Sequence, residues 1–238
     1  MNYLIIEASN GLEGWNLAQN KIPDLIVTDI MMPEMDGIEL CKKIKSDKNT
    51  SHIPVILLTG RTSNKKRIEG FEYGADDYIT KPFSFEILES RIKNLIHQRD
   101  LIRKSFQKKF ELTPSEIQIT SLDEKLIKKA LQVVEANIAD PDFSVDKLSR
   151  EIGMSRVHLY KKLTSLTGKS PIEFIRIIRL RRAAQLLEKS QMSVSEIAYQ
   201  VGFNNPKYFT KYFKFEYKIL PSEYAATKQK KSEGPKSF

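Results

Sequence analysis

A chain of 238 residues and 27.5 kDa is long for one compact domain and comfortable for two. With 40% hydrophobic and 29% charged residues it holds enough apolar surface for real cores, which excludes wholesale disorder. Residues 1–100 carry 13 Lys and Arg against 15 Asp and Glu and the remainder 26 against 15, so the basic excess sits in the C-terminal part and suits a polyanion.

From Leu4 to Pro82 short β-rich runs alternate with helical periodicity: LIIEAS then GLEGWNLAQN, DLIVTD then GIELCKKIKS, PVILLTG then SNKKRIEGFEYG, and DYITKP then SFEILESRIKNLIHQRD. Such alternation predicts a parallel sheet covered by helices, and the nearly continuous apolar runs DLIVTD and PVILLTG read as strands buried on both faces. The helix opening near Ser84 repeats Phe85, Leu88, Ile92, Leu95, Ile102 and Phe106 at three-and-four spacing, with Arg99 interrupting. That pattern permits a short coiled coil and a homodimer, and equally a helix whose first half only packs on the sheet.

Residues 101–124 read as a helical extension and linker, with the linker itself from about Lys108 to Leu122 around Pro114. From Asp123 the pattern is helical and contains a repeat: SVDKLSREIG at Ser144–Gly153 returns as SVSEIAYQVG at Ser193–Gly202, an offset of 49, and SPIEF at Ser170 returns as LPSEY at Leu220, an offset of 50. Residues 228–238, charged and without periodicity, read as a disordered tail. The single cysteine, Cys41, excludes an internal disulfide framework, and His52, His97 and His158 show no metal-ligand spacing. A reducing cytoplasm is the expected compartment. No apolar run approaches the roughly 18 residues of a membrane span, so no membrane contact by this chain is expected.

Each repeat has the layout of a helix-turn-helix. In the first, Ser144 caps a helix burying Val145, Leu148 and Ile152, Gly153 makes the turn, and Ser155 caps a second helix burying Leu159, Leu163 and Leu166. The second uses Ser193 with Glu196 as a capping box, then Val194, Ile197 and Val201, the turn at Gly202, and Phe209 and Phe213. Ser170, Pro171 and Glu173 start a long connecting helix bearing Arg176, Arg179, Arg181 and Arg182. Subtracting buried positions leaves Ser155, Arg156, Val157, Tyr160 and Lys161 on one second helix and Asn205, Pro206, Lys207, Thr210 and Lys211 on the other as the expected contacts to double-stranded DNA. Two such helices would enter successive major grooves about 34 Å apart.

At the other end of the chain, Asp29 ends DLIVTD, Thr59 ends PVILLTG and Lys81 ends DYITKP, so three strands deliver a carboxylate, a hydroxyl and an ammonium to the carboxyl edge of one parallel sheet. That trio suits phosphoryl transfer to a carboxylate: Asp29 as nucleophile, Lys81 as the cation offsetting the transferred oxygens, Thr59 as a switching donor.

The stretch from Lys125 to Thr227 resembles an AraC-type DNA-binding domain. The matching core is Ile197, Ala198, Val201, Gly202, Phe203, Tyr208, Phe209, Phe213, Lys214, Pro221, Ser222, Glu223 and Tyr224, and one departure is Tyr217-Lys218, where the family usually carries a glycine. A slightly different helix end is expected there. Residues from Asn2 to about Arg99 resemble the response-regulator receiver family through IMMPEMDG after Asp29, Thr59, and YITKPF. This resemblance implies a flavodoxin-like fold, Asp29 as phosphoacceptor, Tyr78 beside Thr59 as a switch residue, Lys81 as phosphate partner, a cis bond at Pro82, and Mg²⁺ as cofactor with Asp29 and Met31 among its contacts. Asp76 and Asp77 look like the usual loop acids of that family.

Family members begin with a further strand ending in paired acids, then a helix, and neither is present ahead of LIIEAS. The expected fold is therefore α/β then all-α: a receiver (1–100) lacking its first strand and helix, followed by an AraC-type double helix-turn-helix domain (125–227). Three explanations are open: a fragment of a longer protein, which is favoured, a misassigned start, or a degenerate dimerisation module. Receiver plus AraC-type domain is also the C-terminal layout of hybrid two-component sensors, whose upstream part would be a membrane sensor and histidine kinase. The resemblances together imply a two-component transcription regulator with a histidine kinase as phosphodonor and RNA polymerase as a partner, and no enzyme of its own.

Overall fold

The computed structural model describes residues 3–60, 74–109 and 121–232. In chain order the elements are α1 (Gly11–Lys21), β1 (Ile26–Asp29), α2 (Gly37–Ser46), β2 (Val55–Thr59), β3 (Asp77–Thr80), α3 (Phe85–Lys109), α4 (Ser121–Ala136), α5 (Val145–Ile152), α6 (Arg156–Thr167), α7 (Pro171–Lys189), α8 (Val194–Gln200), α9 (Pro206–Tyr217) and α10 (Pro221–Ser232). They divide into two compact units, Met1–Lys125 with Val157–Gly168, and Leu126–Arg156 with Lys169–Phe238. Most of the helix expected over SNKKRIEGFEYG lies outside the described residues, as do positions 110–120 of the expected linker.

In the first unit the sheet is parallel in the order β1-β2-β3, with Ile26 opposite Val55, Asp29 opposite Leu58 and Thr59 opposite Thr80. The register follows the apolar runs: Val55, Ile56 and Leu57 are fully buried, and Ile44, Cys41 and Leu40 of α2 pack in one core with Val55, Leu57, Ile53, Ile30 and Tyr78. α1 is capped by Asn10, whose side chain accepts from the Glu13 amide, and α2 by Asp36, which accepts from the Glu39 amide.

Three sequence expectations change. LIIEAS forms no strand: residues 3–8 have no regular structure, and Leu4 is 94% and Ile5 75% exposed. Apolar, β-branched residues favour a strand only where a neighbour supplies ladder hydrogen bonds, and among the described residues none does. DLIVTD is not buried on both faces, since Val27 is exposed while Thr28 is buried. The helix of the last stretch runs to Ser232, beyond residue 227 where the tail was expected, since Ala, Lys and Gln are good helix formers and the first breaker is Gly234.

The second unit buries Leu180, Ala183, Ala184 and Leu187 of α7 against Ile197, Ala198, Val201, Phe209 and Phe213. Phe213 stacks on Tyr217 at 4.5 Å and meets Tyr224 edge-on at 5.4 Å, so an aromatic cluster ties α9 to α10. Tyr224 also donates to Glu188 at 2.7 Å. The capping boxes at Ser170–Glu173 and Ser193–Glu196 are both formed, and both turn glycines are left-handed, Gly153 at φ 74° and Gly202 at φ 78°.

Candidate phosphoacceptor site and nucleic-acid interface

Asp29, Thr59 and Lys81 come to the carboxyl edge of the sheet. β1 ends on Asp29 and β2 on Thr59, and the Lys81 amide continues the ladder by donating to the Thr59 carbonyl at 2.7 Å. The Lys81 ammonium donates to Asp29 Oδ2, and the Met31 amide donates to Oδ1 at 3.2 Å. Burial pushes the Asp29 carboxyl up, but the bonds from Lys81 and Met31 outweigh it and hold the group below the usual aspartate range. Gly37 is required by the tight return of the chain: its amide donates to the Ile30 carbonyl at 3.0 Å, and a Cβ there would run into the Asp29 carbonyl. The Lys81–Pro82 bond is cis.

Thr59 is buried and its hydroxyl donates to the Gly60 carbonyl at 3.2 Å. Tyr78 lies in the core beneath the sheet edge, 9% exposed. Asp76 accepts from Lys45 at 2.6 Å and from the Val55 amide at 2.7 Å, and Asp77 pairs with Arg91, so both loop acids are used structurally. Met31 is 74% exposed beside Asp29. Each Asp29 oxygen accepts one donor and keeps a further lone pair, and an octahedral Mg²⁺ ion would need more oxygen ligands than Asp29 and Met31 supply. Among the described residues no group of three or more His, Cys, Asp or Glu is placed to hold a metal.

On α9, Lys207 and Lys211 are exposed, Pro206 and Thr210 half-buried, and Asn205 caps the helix by accepting from the Lys207 amide at 2.9 Å. Tyr208, which belongs to the matching family motif, is 58% exposed on the same helix. On α6, Ser155 precedes the helix and Arg156, Val157 and Tyr160 are exposed, with Arg156 paired to Asp146 at 3.1 Å. Lys161 is exposed, and its ammonium donates to the carbonyls of Lys21 and Ile22, where the negative end of α1 attracts a cation.

The sequence matches the response regulator receiver domain family over residues 1–93 and a helix-turn-helix domain family over residues 148–227. The chain joins a response regulator receiver domain to an AraC-type helix-turn-helix domain. It is 49% identical over 223 residues to histidine kinase P4 of Formosa agariphila, covering 94% of this chain and 16% of that protein. It is 40% identical over 100 residues to the DNA-binding dual master transcriptional regulator RpaA of Synechocystis, 42% of each chain. It is 37% identical over 120 residues to the alkaline phosphatase synthesis transcriptional regulatory protein PhoP of Bacillus subtilis, 50% of this chain and 49% of the relative. The chain thus spans about a sixth of the kinase and under half of the two regulators.

Beyond the receiver edge and the AraC-type recognition faces, two charged groups escaped sequence reasoning. Lys162 on α6 is 1% exposed and bonds Asp123 at 2.9 Å, Ser51 at 2.6 Å and the Lys48 carbonyl. Arg179 on α7 is half-buried on two carbonyls. Among the described residues no helix is long and apolar enough to cross a membrane.

Proposed function

We propose that this chain is a sequence-specific DNA-binding transcription regulator whose activity is set by phosphorylation of Asp29. The observation that carries the reading is the exposed Lys207–Lys211 face of α9, the second helix of a duplicated helix-turn-helix, joined in one chain to a receiver edge where Lys81 meets Asp29. A helix of this size fits the major groove, where lysines read guanine edges or meet phosphates. At Asp29 the carboxylate would form the new O–P bond as the phosphodonor's bond to phosphorus breaks, with Lys81 moving from the carboxylate to the phosphoryl oxygens and Thr59 turning its hydroxyl from Gly60 toward them. A histidine kinase is the phosphodonor, Mg²⁺ the cofactor usual for the family, and RNA polymerase and a second copy of the chain are the further partners of this reading. The two matched domains are regulatory, so no enzyme activity is assigned to the chain itself.

The 49% identity to part of a histidine kinase supports a second reading, in which the chain is the output end of a hybrid phosphorelay protein. A third reading is a constitutive DNA binder whose receiver only dimerises. Acetyl phosphate labelling of the wild type and of Asp29→Asn, followed by DNA binding, separates them. Label on the wild type alone, together with a change in DNA affinity, supports phosphorylation control; unlabelled protein that binds DNA regardless of treatment supports the third reading.

A further inference from the structure

The connecting helix α7 carries four arginines whose density reads, from sequence, as a basic surface. The structure gives them different uses. Arg182 donates to Gln185 on its own helix at 3.0 Å, and Arg176 lies 4.2 Å over the Tyr212 ring. Arg179 instead divides its guanidinium between two carbonyls: Nη1 donates to Gly202 at 3.0 Å and Nη2 to Asp140 at 2.5 Å.

The two carbonyls belong to different parts of the DNA-binding fold. Gly202 is the left-handed turn between α8 and α9, and its close quarters admit no side chain, since a Cβ would run into the Ile138 carbonyl and lie 2.9 Å from the Arg179 guanidinium. Asp140 lies in the loop ahead of α5, and its carboxylate is held by Lys147 on α5 at 2.9 Å and by the Asp142 amide at 2.9 Å. A single planar fork on α7 therefore pins the turn that launches α9 to the loop that launches α5. A lysine, a point charge on a flexible stem, would not hold two diverging carbonyls in that geometry.

We infer that Arg179 is a positioning residue for DNA recognition, fixing the angle of α9 so that its outward side chains meet base edges in register, and that it does not itself contact phosphate. This deepens the proposed function, since it rests on α9 being a recognition helix. Base readout needs side chains held within a fraction of an ångström, whereas attraction to phosphate tolerates misplacement. Loss of the brace should thus lower specificity and leave the salt dependence of binding unchanged.

The test uses the full chain, a duplex enriched by the wild type from a randomised pool, and a scrambled duplex of equal length. Arg179→Met and Arg179→Lys are compared with the wild type by fluorescence anisotropy over a salt series, with thermal melting as a control of folding. The expected result is a fall of about tenfold or more in the ratio of enriched to scrambled affinity, for both variants, with the slope of log affinity on log salt as in the wild type. If Arg179→Met fails to fold, Arg179→Lys, which keeps the charge, decides. An unchanged ratio in a folded variant overturns the inference, and so does a parallel weakening on both duplexes with the slope reduced by about one, the mark of a phosphate contact. A wild type that enriches no duplex would instead defeat the reading of α9 as a recognition helix.

Discussion

Lys218 closes α9 at φ 66°, with its amide on the Lys214 carbonyl at 2.9 Å, and the first repeat has Gly168 at φ 70° in the corresponding place after α6. The missing glycine noted in the sequence does not change the helix end; lysine adopts the same left-handed cap and bears the steric cost. Lys218→Gly is therefore expected to raise stability by about 1 kcal/mol in urea denaturation, and a loss of stability would mean that the exposed Lys218 contacts to Phe215 outweigh the strain. His52 gives a pH signature. Burial first, then the charges of Lys162 and Arg99, push its imidazole down to about 3, while the unfolded chain takes up that proton below about 6.5. The contribution of neutral His52 is whole above about pH 6.5 and is lost as pH falls toward 3, by up to about 1.4 kcal/mol per unit. Denaturation at pH 7.5 and 5.5 should show this loss, and His52→Leu should flatten it; an unaltered profile would contradict the assignment. The meeting of Asp29 with Lys81 was legible because strand ends of a parallel sheet fall on one edge. Lys162 and Arg179 were not, because a cation on an amphipathic helix reads as solvated until a tertiary partner such as Asp123 or Gly202 is placed beside it.

Among the elements, α6 depends most on one buried pair. Burial pushes the Lys162 ammonium down against the pull of Asp123, and Ser51 and the Lys48 carbonyl complete its bonds. Lys162→Met leaves Asp123 without its cation and should cost about 3 to 5 kcal/mol, whereas Lys162→Met combined with Asp123→Asn should recover much of that loss. Additive losses in a double-mutant cycle by chemical denaturation would show the pair to be uncoupled. Element types were largely legible: DLIVTD and PVILLTG became β1 and β2, and every capped helix start at Ser144, Ser170 and Ser193 was found. LIIEAS failed because a strand is a property of a pair and its own propensity supplies no ladder. The extent of α10 failed because a Lys-rich, uncapped end carries no stop signal and the helix continues to Ser232, whereas α3 ends at Lys109, about where the linker was expected to begin.

At the scale of the molecule, the charge division seen in the sequence matches the division of labour. The receiver residues are slightly acidic and the AraC-type residues strongly basic, which favours a polyanion at the C-terminal part. The proposed regulator depends on an α9 face that reads DNA. The most direct measurement is the affinity of the full chain for the enriched duplex against a scrambled one across a salt series, for the wild type and for Lys211→Gln. The account predicts at least about a thousandfold preference in the wild type. It predicts that Lys211→Gln costs about 1 to 3 kcal/mol on the enriched duplex alone, if the lysine reads a base, or lowers the salt slope by about one if it meets phosphate. Equal affinity of the wild type for both duplexes, or a Lys211→Gln chain indistinguishable from it in affinity and slope, would contradict it.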